Sequence, residues 1–98
     1  MDRFTDISKN LTILEEECAE VVQSVCKIRR FGMGDFDPRN SITNDVTLAT
    51  EIGHVLCMID ILLHHNTVDV AIVEEARKNK IDKLAKYYHR GEPLESHR

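Results

Sequence analysis

The sequence predicts an all-α fold, a bundle of three main helices, and three observations carry that prediction. Apolar residues recur at spacings of three and four over the first thirty positions, the period of a helix with one buried stripe. The apolar content is mostly aliphatic, with no Trp, three Phe and two Tyr, which suits helix-on-helix packing better than a sandwich or barrel. Gly, Pro and Asn then punctuate the chain so that three helical blocks remain. A chain of 98 residues makes one domain, assigned here to residues 1–90, with 91–98 as a loose tail beyond Gly91 and Pro93. So short a chain buries a limited core, so the bundle is expected to be completed by oligomerisation as a homo-oligomer, dimer or tetramer.

The first helix is expected from near Asp2 to about Phe31, with Phe4, Ile7, Leu11, Leu14, Cys18, Val21, Val25 and Ile28 as its inward seam. Gly32 and Gly34 end it, and Asp37-Pro38 and Asn40-Ser41 hold the next segment in a loop. Thr43 or Asn44 caps the second helix, which runs to about His65. Leu48, Ile52, Val55, Leu56, Ile59, Leu62 and Leu63 form one of its faces, and Met58 and Ile61 make a second side apolar, as in a central helix. Asp69 caps a third helix, from about Val70 to Tyr88, with Val73, Ile81, Leu84 and Tyr88 inward and Arg77, Lys78, Lys80, Lys83 and Lys86 on its polar surface.

A net charge of −4 argues against nucleic acid as a partner, since a surface that tracks phosphates needs a basic excess. Cys18, Cys26 and Cys57 are odd in number and lack CxxC spacing, so neither a disulfide framework nor a zinc site is expected; they read as buried free thiols in a reducing compartment. No signal peptide is visible, and the apolar run from Val55 to Leu63 is interrupted by Asp60 and too short to span a bilayer. The expectation is a cytoplasmic protein with no membrane partner.

The chemistry concentrates in two segments. In Glu15-Glu16-Glu17-Cys18-Ala19-Glu20, Glu16 and Glu20 stack one turn apart with Glu17 beside them, roughly opposite the apolar seam. Alone, this reads as a solvated acidic face before it reads as a site. Glu51 is different, because it sits on a mostly apolar helix and shares its side with Thr47, His54, Met58 and His65. A carboxylate there must be paired, protonated or metal-bound. Facing helices commonly build metal sites from inward carboxylates, and Glu16, Glu17, Glu20 and Glu51 would offer an all-oxygen set suited to Mg²⁺ or Mn²⁺.

These segments carry a resemblance. Leu14-Glu15-Glu16-Glu17-Cys18-Ala19-Glu20-Val21 resembles the EExxE half, and Glu51-Ile52-Gly53-His54 the ExxD half, of the motif of the MazG-like all-α nucleoside triphosphate pyrophosphohydrolases. Cys26 to Gly32, Thr43-Asn44 and Lys80 to Tyr87 resemble a compact phage and bacterial branch of that superfamily, so the likeness spans about Leu11 to Tyr87. The resemblance implies an oligomeric helical bundle that cleaves (d)NTP between the α and β phosphates to (d)NMP and pyrophosphate, in nucleotide-pool house-cleaning. It implies Mg²⁺ held by Glu16, Glu17, Glu20 and Glu51, one of which takes the proton of the attacking water. Two alternatives stand beside it. One is phosphoribosyl-ATP pyrophosphohydrolase; the other is a non-catalytic nucleotide-binding or assembly module.

The second alternative arises at His54, where the family pattern has Asp. Imidazole brings one nitrogen, no negative charge and a preference for metals softer than Mg²⁺. His54 either ligates such a metal, with Mn²⁺ then favoured over Mg²⁺, or bonds a metal-bound water, or marks an impaired site. For phosphate, Lys80 and Lys83 are candidates, as are Lys27 and Arg30 near the end of the first helix; each reads equally as a solvated or dipole-complementing cation. Asn44 reads as an N-cap rather than a base-recognition residue, and Gly32-Met33-Gly34 is not a phosphate loop.

Overall fold

A computed structural model describes residues 1–90, with side chains through residue 88. It contains three helices, α1 (Ile7–Phe31), α2 (Asn44–His64) and α3 (Val70–Arg90), and no strand among the described residues. The chain divides into two compact units, Met1–Thr67 and the segment from Val68 onward.

In the first unit α1 begins at Ile7, five residues later than the expected start near Asp2. Asp6 sets that start, because its carboxylate accepts from the Lys9 amide at 3.0 Å and satisfies an otherwise unpaired donor of the first turn. Upstream, the Phe4 amide donates to the Met1 carbonyl three residues back and the Asn10 side chain donates to the Phe4 carbonyl six residues back. The first residues are tied to the far end of α2. His64 Nε2 lies 2.6 Å from Asp2 Oδ1, and His65 Nε2 lies 2.8 Å from the Met1 carbonyl. The His64 hydrogen bond is the main reason the Asp2 carboxyl is held below its ordinary range. At the other end Gly32 stops α1 with φ +92°, a conformation that costs a side chain dearly, while its amide donates to the Ile28 carbonyl at 2.7 Å.

The face of α1 that packs on α2 shares only Leu14, Val21 and Ile28 with the expected seam. Asn10 and Ser24 are buried and Leu14, Glu17, Val21 and Ile28 half-buried, so shielded residues recur at alternating spacings of four and three. Phe4, Ile7, Leu11, Cys18 and Val25 are exposed. Two apolar stripes compete on this helix, and the one against α2 is half polar, with Asn10, Glu17 and Ser24 alternating with Leu14, Val21 and Ile28. On α2 the matching series is Asn44, Leu48, Glu51, Val55, Met58 and Leu62, all buried or half-buried, with Met58, Ile61 and Leu62 as the core. Each packed face thus carries a carboxylate into the interface. Glu17 lies on the packed side rather than opposite it.

Thr43 is the N-cap position of α2 and Asn44 its first residue. The Asn44 side chain does not cap. It donates to the Gly32 carbonyl at 2.9 Å, while its own amide donates to the Asp35 carbonyl at 2.8 Å and the Asp45 amide to the Met33 carbonyl at 3.0 Å. Asn44 therefore sews the loop to the start of α2. Within the loop Phe36 and Thr43 form an isolated antiparallel bridge. Asp37 receives the Arg39 amide at 2.9 Å and its guanidinium at 2.6 Å. The side-chain oxygen of Asn40 accepts from the Ile42 amide at 2.9 Å.

By length and composition α2 is the one helix among the described residues able to cross a membrane, with a mean hydropathy of 1.7 over an 18-residue window. The expectation from the short run Val55–Leu63 understated this, because the helix is longer than that run and stays apolar on average despite Asp60. Helices of this kind also serve as core helices, and α2 turns Asn44, Glu51 and Met58 toward α1. All three cysteines are exposed, against the expectation of burial: Cys18, Cys26 and Cys57 lie off the α1–α2 seam.

The second unit holds α3. Asp69 begins it as expected, its Oδ1 accepting from the Ala71 and Ile72 amides at 2.9 and 3.4 Å. Val73 and Leu84 are half-buried, but Ile81 and Tyr88 are 65% and 80% exposed, and the shielded aromatic is Tyr87. Arg77 pairs with Glu74 at 2.6 Å, and Lys78, Lys80, Lys83 and Lys86 are exposed. The expected tail, with Gly91 and Pro93, lies outside the described residues.

Candidate metal centre and adjoining cavity

Three ligand-bearing side chains converge across the α1–α2 interface. Glu17 of α1 and Glu51 and His54 of α2 each place one ligand atom within 4.8 Å of the others. His54 Nδ1 stands 3.3 Å from Glu17 Oε2 and 3.3 Å from Glu51 Oε2. The helix period brings this about. Glu17 is a seam position of α1, Glu51 is a seam position of α2, and His54 is one turn beyond Glu51 on the flank of the same face. Glu51 and Glu17 keep 18% and 24% of their side-chain surface, and His54 keeps 53%, so the cluster opens to solvent on the imidazole side.

The neutral imidazole tautomer with its proton on Nδ1 already gives the two carboxylate oxygens a donor at 3.3 Å, and a divalent metal among the three atoms would satisfy them as well. Adjacent ligand atoms on an octahedral ion with bonds of about 2.1 Å are roughly 3 Å apart, close to the spacing seen. Two carboxylates and one imidazole fit Mn²⁺ and its transition-metal neighbours better than Mg²⁺, which favours oxygen throughout.

Glu51 belongs also to a second feature. A cavity of about 460 Å³ runs between α1, the 32–43 loop and the first turns of α2, lined at its acidic end by Glu51 and Glu20. Lys27 adds the single basic side chain of the lining, and Thr47 and Asn44 line it from α2. Phe31, Phe36 and Ile42 give it an apolar wall, and Asp35, Asp37, Pro38 and Asn40 complete it from the loop. That volume lies within the range of small-molecule and cofactor sites, about 300–1,000 Å³. Arg39 holds the Asp37 carboxyl down at about 2, mainly through its side-chain hydrogen bond, with a further pull from the charge on Lys27. The Asp45 carboxyl, at the start of α2, lies below its ordinary range chiefly through the Thr43 hydroxyl.

The structure brings some of the expected site residues together and leaves others apart. Glu17, Glu51 and His54 form the cluster, and Glu20 and Lys27 line the cavity beside it. Glu16 is exposed and contributes neither to the cluster nor to the lining. It stacks under Glu20, but its rotation about α1 carries it past the seam. Arg30 is exposed and outside the lining. Lys80 and Lys83 are exposed on α3, in the other unit. The loop residues were not anticipated as part of a site. A signal for them was present, since Phe31, Asp35, Phe36 and Asp37 set aromatic and acidic groups between the two motif helices, where a loop made only for turning needs neither. No protein-family model, curated protein or solved structure matches the chain.

Proposed function

We propose that the protein is a metal-dependent nucleotide pyrophosphohydrolase that converts (d)NTP to (d)NMP and pyrophosphate. The observation that carries this reading is the sharing of Glu51 between a two-carboxylate, one-imidazole cluster and a cavity of nucleotide size. The MazG-like pattern in the two motif segments supports it from the sequence side.

In this reading Glu17, Glu51 and His54 hold a divalent ion, Mn²⁺ in preference to Mg²⁺. When bound, such an ion neutralises phosphate oxygens and makes a coordinated water more acidic. Glu20, beside Glu51 in the cavity lining, takes a proton from the water that attacks the α-phosphorus. Lys27 meets the phosphate chain as a point charge. The bond from the α-phosphorus to the bridging oxygen breaks, and pyrophosphate leaves. Glu16 lies farther out and steers the charge of the approach rather than ligating.

The reading includes a cytoplasmic homo-oligomer, dimer or tetramer, in which further copies cover the outer side of α2. Its test is release of pyrophosphate, as opposed to phosphate, from the common NTPs and dNTPs with Mn²⁺ and with Mg²⁺. Metal-dependent pyrophosphate release that Glu17→Gln and Glu51→Gln abolish is the expected result. One observation favours a second reading, a nucleotide-binding module without turnover. His54 lies between the two carboxylates as an internal counter-ion would. Tight nucleotide binding with no product under any divalent metal would select it.

A further inference from the structure

The 32–43 loop lines the cavity with more chemistry than a phosphate site requires. Resting on the nucleotide reading above, we propose that this loop selects a guanine base, through the Asp35 carboxylate and the Asn40 amide, with Phe31 and Phe36 supplying the stacking surface.

The loop is rigid by construction. Asn44 ties it at two carbonyls, those of Gly32 and Asp35, and the Phe36–Thr43 bridge closes it on itself. Within it the polar side chains divide by use. Asp37 is spent on Arg39. The Asn40 oxygen is spent on the Ile42 amide, which leaves the Asn40 NH₂ group as a donor of fixed orientation. Asp35 lends its backbone carbonyl to Asn44, but its carboxylate has no partner among the described residues. The loop's share of the lining therefore offers one acceptor-only group without a partner, Asp35, and one free donor, Asn40.

That pair matches one base edge. A carboxylate accepts from two adjacent donors, and guanine alone among the common bases presents N1–H and N2–H₂ side by side with an acceptor, O6, next to them. Thymine and uracil turn carbonyl oxygens toward the carboxylate on either side of a single N–H. Cytosine and adenine offer one amino group beside a lone pair. Phe31 and Phe36, 61% and 52% exposed, are large apolar groups that water solvates poorly. Base–aromatic stacking covers them, and it tolerates any base, so it adds affinity without choosing.

The test is titration of the whole protein with dGMP, dAMP, dCMP and dTMP, without added metal, so that base reading is separated from metal chemistry. dGMP is expected to bind about tenfold or more tighter than dTMP, the scale of one good two-point base contact. Asp35→Asn is expected to remove that preference, lowering dGMP affinity about tenfold while leaving dTMP within about twofold. Phe31→Leu should weaken all four together. Equal affinity for dGMP and dTMP, equal losses for both in Asp35→Asn, or no binding of any monophosphate would overturn the proposal. Clean dGMP selectivity with no metal-dependent pyrophosphate release would uphold it and overturn the hydrolase reading instead.

Discussion

His54 and Glu51, one turn apart on α2, stand with Nδ1 and Oε2 3.3 Å from each other, and Glu17 of α1 places its own Oε2 at the same distance from that nitrogen. The three-residue spacing on α2 sets His54 one turn beyond Glu51 on the side that meets Glu17, so an acidic side chain at position 54 would change the cluster's charge more than its layout.

His54→Asp is accordingly expected to exchange metal preference. The parent should bind Mn²⁺ more tightly than Mg²⁺, because an imidazole ligand suits the first and not the second. With Asp at 54, Mg²⁺ affinity should rise by roughly tenfold or more, the scale on which neighbouring groups modulate metal sites. Calorimetric titration with both ions checks this. Unchanged Mg²⁺ affinity would place His54 outside the metal shell.

Glu17→Gln and Glu51→Gln should each abolish metal-dependent turnover and keep the fold. Each removes one negative charge at nearly constant size. Each also removes a partner of His54, and partly exposed ion pairs contribute about 0–1 kcal/mol. For a domain of this size the metal-free Tm should therefore move by no more than about 8 °C. Circular dichroism and pyrophosphate assays on the same samples read the two effects. Activity within a few-fold of the parent in both variants would take these carboxylates out of the mechanism.

The sequence was sufficient for the three helices because their punctuation is local. Asp6, Gly32, Thr43 and Asp69 act on their own neighbours, although the apolar spacing back to Phe4 extends the expected α1 to near Asp2. Which face of α1 turns inward was not legible. Leu14, Val21 and Ile28 belong to both competing stripes, and the choice between Leu11 and Asn10, or between Cys18 and Glu17, is made by what α2 presents opposite. The same ambiguity set Glu17 on the outer face on paper and at the α1–α2 interface in the fold. Glu51 was more legible, since an acidic residue amid Leu, Ile and Val has few places to go. The loop's contribution was hidden, because Asn44 holds Gly32 and Asp35 by bonds that no periodicity reports.

Acid should loosen that loop before it unfolds the helices. The Asp37 carboxyl titrates at about 2 in the fold and at its ordinary 3.8 in a disordered loop. A depressed folded value means that the contact with Arg39 stabilises fully above about pH 4 and is lost as pH falls through about 2. Arg39→Ala should return the Asp37 titration to near its ordinary value. Carboxyl carbon shifts followed by NMR from pH 6 to 2 give both values, and an unmoved Asp37 in Arg39→Ala would assign the depression to another cause.

The last expectation concerns the outer side of α2. Ile52 and Leu56 lie one turn apart there, 43% and 54% exposed, on a helix of mean hydropathy 1.7 of which 17% of the apolar window is buried. Water solvates such a face poorly, and a stable contact between copies needs about 800 Å² from each partner. Two helices of 21 and 25 residues offer a surface long enough to supply that area. Light scattering without detergent should therefore show a dimer or tetramer at micromolar concentration. Leu56→Lys should shift it toward a smaller species, because a charge set into an apolar contact must be desolvated without a partner. The position lies off the α1–α2 seam, so the helical content should be retained. A folded monomer in the parent would defeat the expectation. A parent that stays dispersed only in detergent would instead assign the face of α2 to lipid.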